Sequence, residues 1–229
     1  MKHLFGVVAA LSLLMVLAGC EQDSSPKANL NTPDGKFSYA IGLEIGGSLK
    51  NLKAEIDLGS LMQGIKDTLL DGNPQMTATE AMELKKAHFQ AIQEGLKKKN
   101  MDEGESFLAE NKKKPGIITT ESGLQYEIMA EGSGDKPTPE DKVSVHYTGT
   151  LLDGTEFDSS RKRGQPVTFD VKGVIPGWTE VLQLMQVGSK FRVFIPSKLA
   201  YAERGAGQKI GPNATLIFEM ELLEIKRAK

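Results

Sequence analysis

Leu216-Ile217-Phe218-Glu219-Met220-Glu221-Leu222 sets an apolar side chain at every second position. Successive side chains of an extended chain point to opposite faces, so this spacing describes a strand with one face on a core and the other in water. Phe191, Val193 and Ile195 alternate in the same way, as do Val143, Val145 and Tyr147, and Leu124, Tyr126 and Ile128. Asp153-Gly154, between Leu152 and Phe157, is hairpin-turn chemistry, because glycine takes positive φ without steric cost. One helical stretch, Trp178 to Met185, interrupts the strands. The pattern predicts an α+β domain over residues 115–229, an antiparallel sheet wrapped on a short helix.

Pro115-Gly116 divides this pattern from a different one. Ahead of it, residues 37–114 carry apolar side chains at helical spacing, which predicts an all-α module. Ser38, Gly42 and Gly46 recur every four residues among Ile41, Leu43, Ile45 and Leu49. Such a stripe of small residues lets a second helix approach closely. Leu58, Met62, Ile65 and Leu69 predict a helix from Leu58 to Leu70, ended by Asp71-Gly72-Asn73-Pro74. Thr77-Ala78-Thr79-Glu80 is a capping box that opens a third helix, with Met82, Phe89, Ile92 and Leu96 on its apolar face. Lys97-Lys98-Lys99 and Lys112-Lys113-Lys114 fit helix C-termini, where the macrodipole favours cations. The module's four aromatics are Phe37, Tyr39, Phe89 and Phe107, a thin stock for a core of its own. It is expected to complete that core against a second copy, making the chain a homodimer.

The N-terminus reads as an address. Met1-Lys2-His3 precedes an apolar run from Leu4 to Ala18 that Gly6 and Ser12 interrupt. A membrane span needs about 20 apolar residues, so the run suits a signal-peptide core better. It closes on Leu17-Ala18-Gly19-Cys20, which resembles the lipobox of bacterial lipoproteins. That resemblance implies a signal peptide over residues 1–19, a lipid on the Cys20 thiol and a membrane-anchored mature chain. Glu21 at the next position, rather than Asp, implies the outer membrane facing the periplasm, with the cell surface as the other orientation. Residues 20–36 offer almost nothing to bury and read as a flexible tether.

Composition excludes several functions. The 28 basic and 30 acidic side chains nearly cancel, which removes the broad positive field that nucleic acid would need. Cys20 is the only cysteine, so no internal disulfide forms. His3, His88 and His146 are far apart, without cysteine or carboxylate at ligand spacing, and no metal site is expected. Neither a Ser/His/Asp constellation nor a phosphate loop nor a dinucleotide fingerprint appears, so no cofactor is expected.

Four blocks carry a more specific signal. They are Val145-His146-Tyr147-Thr148-Gly149, Asp153-Gly154-Thr155-Glu156-Phe157-Asp158-Ser159-Ser160, Val174-Ile175-Pro176-Gly177-Trp178, and Ala200-Tyr201 with Gly211-Pro212-Asn213-Ala214-Thr215-Leu216-Ile217-Phe218. In this order and spacing, residues 115–229 resemble the FKBP-type peptidyl-prolyl cis/trans isomerases. The upstream helices and Phe107-Leu108-Ala109-Glu110-Asn111-Lys112 resemble the macrophage infectivity potentiator subgroup, whose members are dimeric through an N-terminal helical module.

The resemblance implies an enzyme that acts on X–Pro bonds of unfolded or partly folded proteins, and that rapamycin-like macrolides inhibit. Rotation about an X–Pro amide faces a barrier of roughly 18–20 kcal/mol because resonance is lost. The twisted carbonyl is less polar than the planar one, so a dry aromatic cavity favours it. A ten-thousand-fold acceleration needs only about 5.5 kcal/mol, and no nucleophile. By resemblance Tyr147, Phe157, Phe169, Trp178 and Phe218 form the walls and floor for the proline ring. The Ile175 amide holds a substrate carbonyl, with Val174 beside it and Ile210 in the substrate-binding set. Tyr201 offers its hydroxyl to the rotating amide, and Asp158 sits at the rim, oriented by Arg163.

Three positions depart from the family pattern. Val167 stands where an aromatic is common, Lys209 where an apolar residue closes the pocket, and Ala202 where glycine follows the tyrosine. They bear on substrate preference, macrolide affinity and the turn after Tyr201. Two other functions share the same features: a non-catalytic periplasmic chaperone or holdase, and an envelope-tethering interaction protein.

Overall fold

The computed structural model describes residues 27–227, Lys53 and Asp71 excepted. The signal peptide expected over 1–19 and the lipidation expected at Cys20 lie outside those residues. Among the described residues, no helix is long and apolar enough to cross a membrane. The chain divides into two compact units after Lys50.

The first unit is helix α1 (Pro33–Asn51), up to Lys50. It begins within the stretch expected to be tether. Thr32 caps it by accepting the Gly35 amide at 3.1 Å, and Pro33 has its φ preset for the first helical position. Phe37, Tyr39, Ile41, Leu43 and Ile45 of α1 are exposed, Phe37 and Leu43 more than three-fifths so. No neighbouring atom lies within 4 Å of where a Cβ would sit at Gly42 or Gly46.

The second unit opens with α2 (Leu58–Leu69), capped by Asp57, whose carboxylate accepts the Ser60 amide at 2.7 Å. The expected capping box starts α3 (Ala78–Asn111): the Glu80 amide donates to the Thr77 hydroxyl, and the Thr77 amide to the Glu80 carboxylate. The helix does not end near Lys97-Lys98-Lys99 as the basic run suggests. Those lysines pair along the helix with Glu94, Asp102 and Glu103, and pairs at this spacing support a helix interior by a few tenths of a kcal/mol each, about 0.3.

Seven strands follow: β1 (Ile117–Thr119), β2 (Gln125–Ala130), β3 (Lys142–Thr150), β4 (Glu156–Ser159), β5 (Val167–Asp170), β6 (Lys190–Ile195) and β7 (Leu216–Lys226). They form one sheet in the order β1-β2-β6-β7-β3-β4, every pairing antiparallel. On its far side β3 pairs with β5 over Lys142–Val145 and with β4 over Thr148–Thr150. Between those stretches Ser160 holds Tyr147: the Tyr147 amide donates to its hydroxyl at 2.8 Å, and the Ser160 amide to the Tyr147 carbonyl at 3.0 Å. The alternating residues predicted to face inward on β3, β6 and β7 are buried, from Val143 to Leu222.

Helix α4 (Pro176–Leu182) lies on that face, with Trp178, Val181 and Leu182 in the core. It begins two residues earlier than the expected Trp178 start, because Pro176 suits a first helical turn. It stops at Leu182, short of Met185. A Cβ at Gly177 would lie 2.5 Å from Ile195, so glycine lets the helix touch β6.

Pro115 is a boundary of secondary structure and not of packing. The end of α3 docks on the sheet: Phe107 lies 5.7 Å from Phe194, centre to centre. The Asn111 amide donates to the Gln125 side chain at 3.0 Å, and Gln125 donates to the Leu108 carbonyl at 2.8 Å. Both side chains are buried. Replacing one leaves its partner unsatisfied, at a cost of about 1–3 kcal/mol. Asn111→Ala is therefore expected to lower stability by about 2 kcal/mol, read as a shift of the urea midpoint followed by Trp178 fluorescence.

Candidate active site

The Tyr147 gap and the first turn of α4 face the same cavity, of about 710 Å³. Trp178 meets three rings edge to face: Tyr147 at 5.0 Å and 84°, Phe169 at 5.4 Å and 82°, Phe218 at 5.2 Å and 82°. Phe157 stands edge-on to Phe218 at 5.5 Å. Contacts of this geometry add about 0.5–1.5 kcal/mol each beyond the area they bury, so the rings hold one another in place. Gly149 makes room for them, since a Cβ there would lie 2.6 Å from Phe157 and 2.7 Å from Phe218. The buried indole N–H of Trp178 has no hydrogen-bond partner among the described residues, a cost of about 1–3 kcal/mol that packing alone does not explain.

Polar groups gather at the rim. The Tyr147 hydroxyl donates to one Asp158 oxygen at 2.5 Å. Arg163 donates to the other Asp158 oxygen, and to the Tyr147 hydroxyl at 2.9 Å. Burial raises the Tyr147 pKa and the Asp158 carboxylate raises it further, so the phenol stays protonated and keeps donating. Burial alone would raise the Asp158 pKa as well, but the Tyr147 hydroxyl and the Arg163 guanidinium outweigh it and hold the carboxyl below its ordinary value.

Every pocket residue expected from the sequence lines the cavity, Arg163 excepted: Tyr147, Phe157, Asp158, Phe169, Val174, Ile175, Trp178, Tyr201, Ile210 and Phe218. Arg163 bears on it through Asp158 and Tyr147. Ile175 precedes α4, and its carbonyl accepts the Trp178 and Thr179 amides. Its own N–H donates to no backbone acceptor among the described residues.

Gly173, Ala206, Gly207, Gln208 and Lys209 complete the lining. Apart from Lys209, sequence reasoning passed over them, because short loop residues carry no periodicity. Ser160 closes the Asp153–Ser160 block but was given no role there; its bonds to the Tyr147 backbone supply one. Lys209 donates to the Glu156 carbonyl at 3.2 Å. Val167 packs against the core beside Val145 and does not line the cavity. Ala202 takes φ 48°, the left-handed conformation natural to glycine, at a cost of about 1–2 kcal/mol.

The model of the FKBP-type peptidyl-prolyl cis-trans isomerases matches residues 134–223, and that of the domain amino terminal to such isomerases matches residues 34–128. The Outer membrane protein MIP of Legionella longbeachae is 42% identical over 239 residues, covering all of both chains. The Peptidyl-prolyl cis-trans isomerase Mip of Coxiella burnetii is 38% identical, covering 99% of this chain and all of that one. The crystal structure of FkpA from Escherichia coli matches with a TM-score of 0.67 and 35% identity, covering 86% of this chain and 99% of that one. The chain belongs to the FKBP-type peptidyl-prolyl cis-trans isomerases. Within them it falls in the macrophage infectivity potentiator subgroup, and it is an isomerase of that type.

The rim makes stability depend on pH with a definite sign. A carboxyl whose pKa is lower in the folded chain stabilises the fold above its unfolded pKa and loses that contribution as pH falls through the folded value. Asp158 thus contributes fully above about pH 5 and progressively less below about pH 4. The gap in melting temperature between the parent and Asp158→Asn is expected to stay constant from about pH 5 to 8 and to close below about pH 4.

Proposed function

We propose that the aromatic cavity is the isomerisation site and that its clients are X–Pro bonds of proteins folding outside the cytoplasm. The observation that carries this reading is the Trp178 floor, ringed by Tyr147, Phe169 and Phe218. An apolar floor receives the proline ring and excludes water from the amide. The twisted amide, having lost conjugation, is favoured there over the planar one. The Ile175 N–H, which donates to no backbone acceptor among the described residues, would hold a substrate carbonyl. Tyr201, more than a third exposed at the mouth, offers its hydroxyl to the turning carbonyl. Asp158 and Arg163 fix the Tyr147 ring without reacting, and no covalent step is needed. The same cavity is expected to take rapamycin-like macrolides.

A prolyl tetrapeptide assay tests the assignment. Trp178→Ala and Asp158→Ala are expected to lower kcat/KM by about tenfold or more in proteins that keep native far-ultraviolet dichroism. Parent-like rates for both variants on several X–Pro sequences would place the chemistry elsewhere.

The chain acts, in this reading, as a lipid-anchored homodimer of the envelope. The Leu17-Ala18-Gly19-Cys20 ending supports the lipid, and the printed name of the Legionella relative supports an envelope location. Labelled palmitate is expected to enter the parent and not Cys20→Ser, which should leave the membrane fraction; equal labelling would refute the anchor. The exposed apolar side chains Phe37, Leu43, Leu58 and Leu69 support pairing of the helical modules, since a lone copy leaves them in water. Analytical ultracentrifugation of residues 21–229 should give a dimer, and charged replacements at Gly42 and Gly46 should give a monomer.

A further inference from the structure

The loop from Tyr201 to Thr215 brings Tyr201 and Ile210 to the cavity. Ala206 and Ile210 exchange both backbone hydrogen bonds at its tip, and the Asn213 amide closes its base on the Ala202 carbonyl at 2.8 Å. That base is strained, with Ala202 at φ 48° and Asn213 at φ 56°. Conformations of this kind persist only where the surroundings hold them.

The surroundings here include α3. Asn100 donates to the Pro212 carbonyl at 2.7 Å, and Asn213 donates to the Lys97 carbonyl at 3.4 Å. Lys97 also pairs with Glu203 at 3.3 Å. One helical turn beyond Asn100, Gly104 lies so close to Thr215 that a Cβ would come within 2.4 Å of its hydroxyl. These contacts reach both ends of the loop from about two turns of one helix. The Lys97–Glu203 pair has an exposed partner and is screened by solvent. The Asn100 bond is short and half-buried, which makes it the stronger tie.

We propose that this part of α3, formally upstream of the isomerase domain, is a working support of the active site. Asn100 is a positioning residue that holds the base of the loop through Pro212, and so keeps Tyr201 and Ile210 against the bound proline. Gly104 sets the distance at which the helix does this. The inference rests on the cavity being the isomerisation site.

The test uses the full chain, with kcat and KM measured separately on a prolyl tetrapeptide and amide exchange followed at Ile210 and Asn213. Asn100→Ala is expected to lower kcat/KM about three- to tenfold and to speed exchange at both loop amides. Exchange in β3 and β7 should not change. Gly104→Ala is expected to produce the same defect by pushing the helix away, and Thr215→Ala in the same chain should restore it. A folded Asn100→Ala protein with parent kinetics and parent loop exchange would overturn the proposal, as would a Gly104→Ala defect that Thr215→Ala leaves unrepaired. A parent inactive on every prolyl peptide would instead remove the cavity assignment, while the loop exchange would still report on the support.

Discussion

Strand β3 pairs with β7 along its whole length, but its other edge is shared by two strands that leave a gap at Tyr147. The site depends on that gap. Ser160 occupies it and pins the Tyr147 backbone through its hydroxyl and its amide, which fixes where the ring leaves the strand. Opposite Tyr147 on β7 comes Met220, and opposite Gly149 comes Phe218, which puts the second aromatic wall in a register fixed by the sheet. A slip of one residue would turn the whole set to the other face. The bulge between Ser144 and Val145 marks where β7 takes up an extra residue, ahead of the site and clear of the walls.

The cavity separates its polar from its apolar work. The floor is ring against ring, and at the rim Asp158, Arg163 and the Tyr147 hydroxyl satisfy one another while Lys209 donates to the Glu156 carbonyl. An acid–base enzyme leaves a proton acceptor poised near the working pH. Here the carboxyl is held below its ordinary pKa and the phenol above its own. Both are locked in one protonation state at neutral pH, which accords with the non-covalent role proposed for the cavity.

The strands could be read because burial on one face of a sheet forces a period of two, and Val143, Val145, Phe191, Val193, Leu216 and Met220 obey it. The Thr77 capping box could be read because it is local. The cavity was legible only through the order of several motifs, since each aromatic taken alone would serve equally well as core. What escaped depends on polar partners that the apolar period does not mark. Lys97-Lys98-Lys99 looked like a helix end because their acidic partners sit one turn away in both directions. The docking of α3 rests on Asn111 and Gln125, two polar residues that composition assigns to the surface and the fold buries together. The loop residues Gly207 and Gln208 have no pattern, and only their neighbours give them a place.

The early start of α1 has a consequence for reach. Helix occupies the chain from Pro33, so the residues between the lipid proposed on Cys20 and the first turn of α1 number about a dozen. Fully extended, they span roughly 40 Å, little more than the thickness of a bilayer's hydrocarbon core, about 30 Å. In a chain anchored as proposed, the first turn of α1 would stay within that distance of the lipid surface, so the length of the tether sets how far the folded part can stand off the membrane.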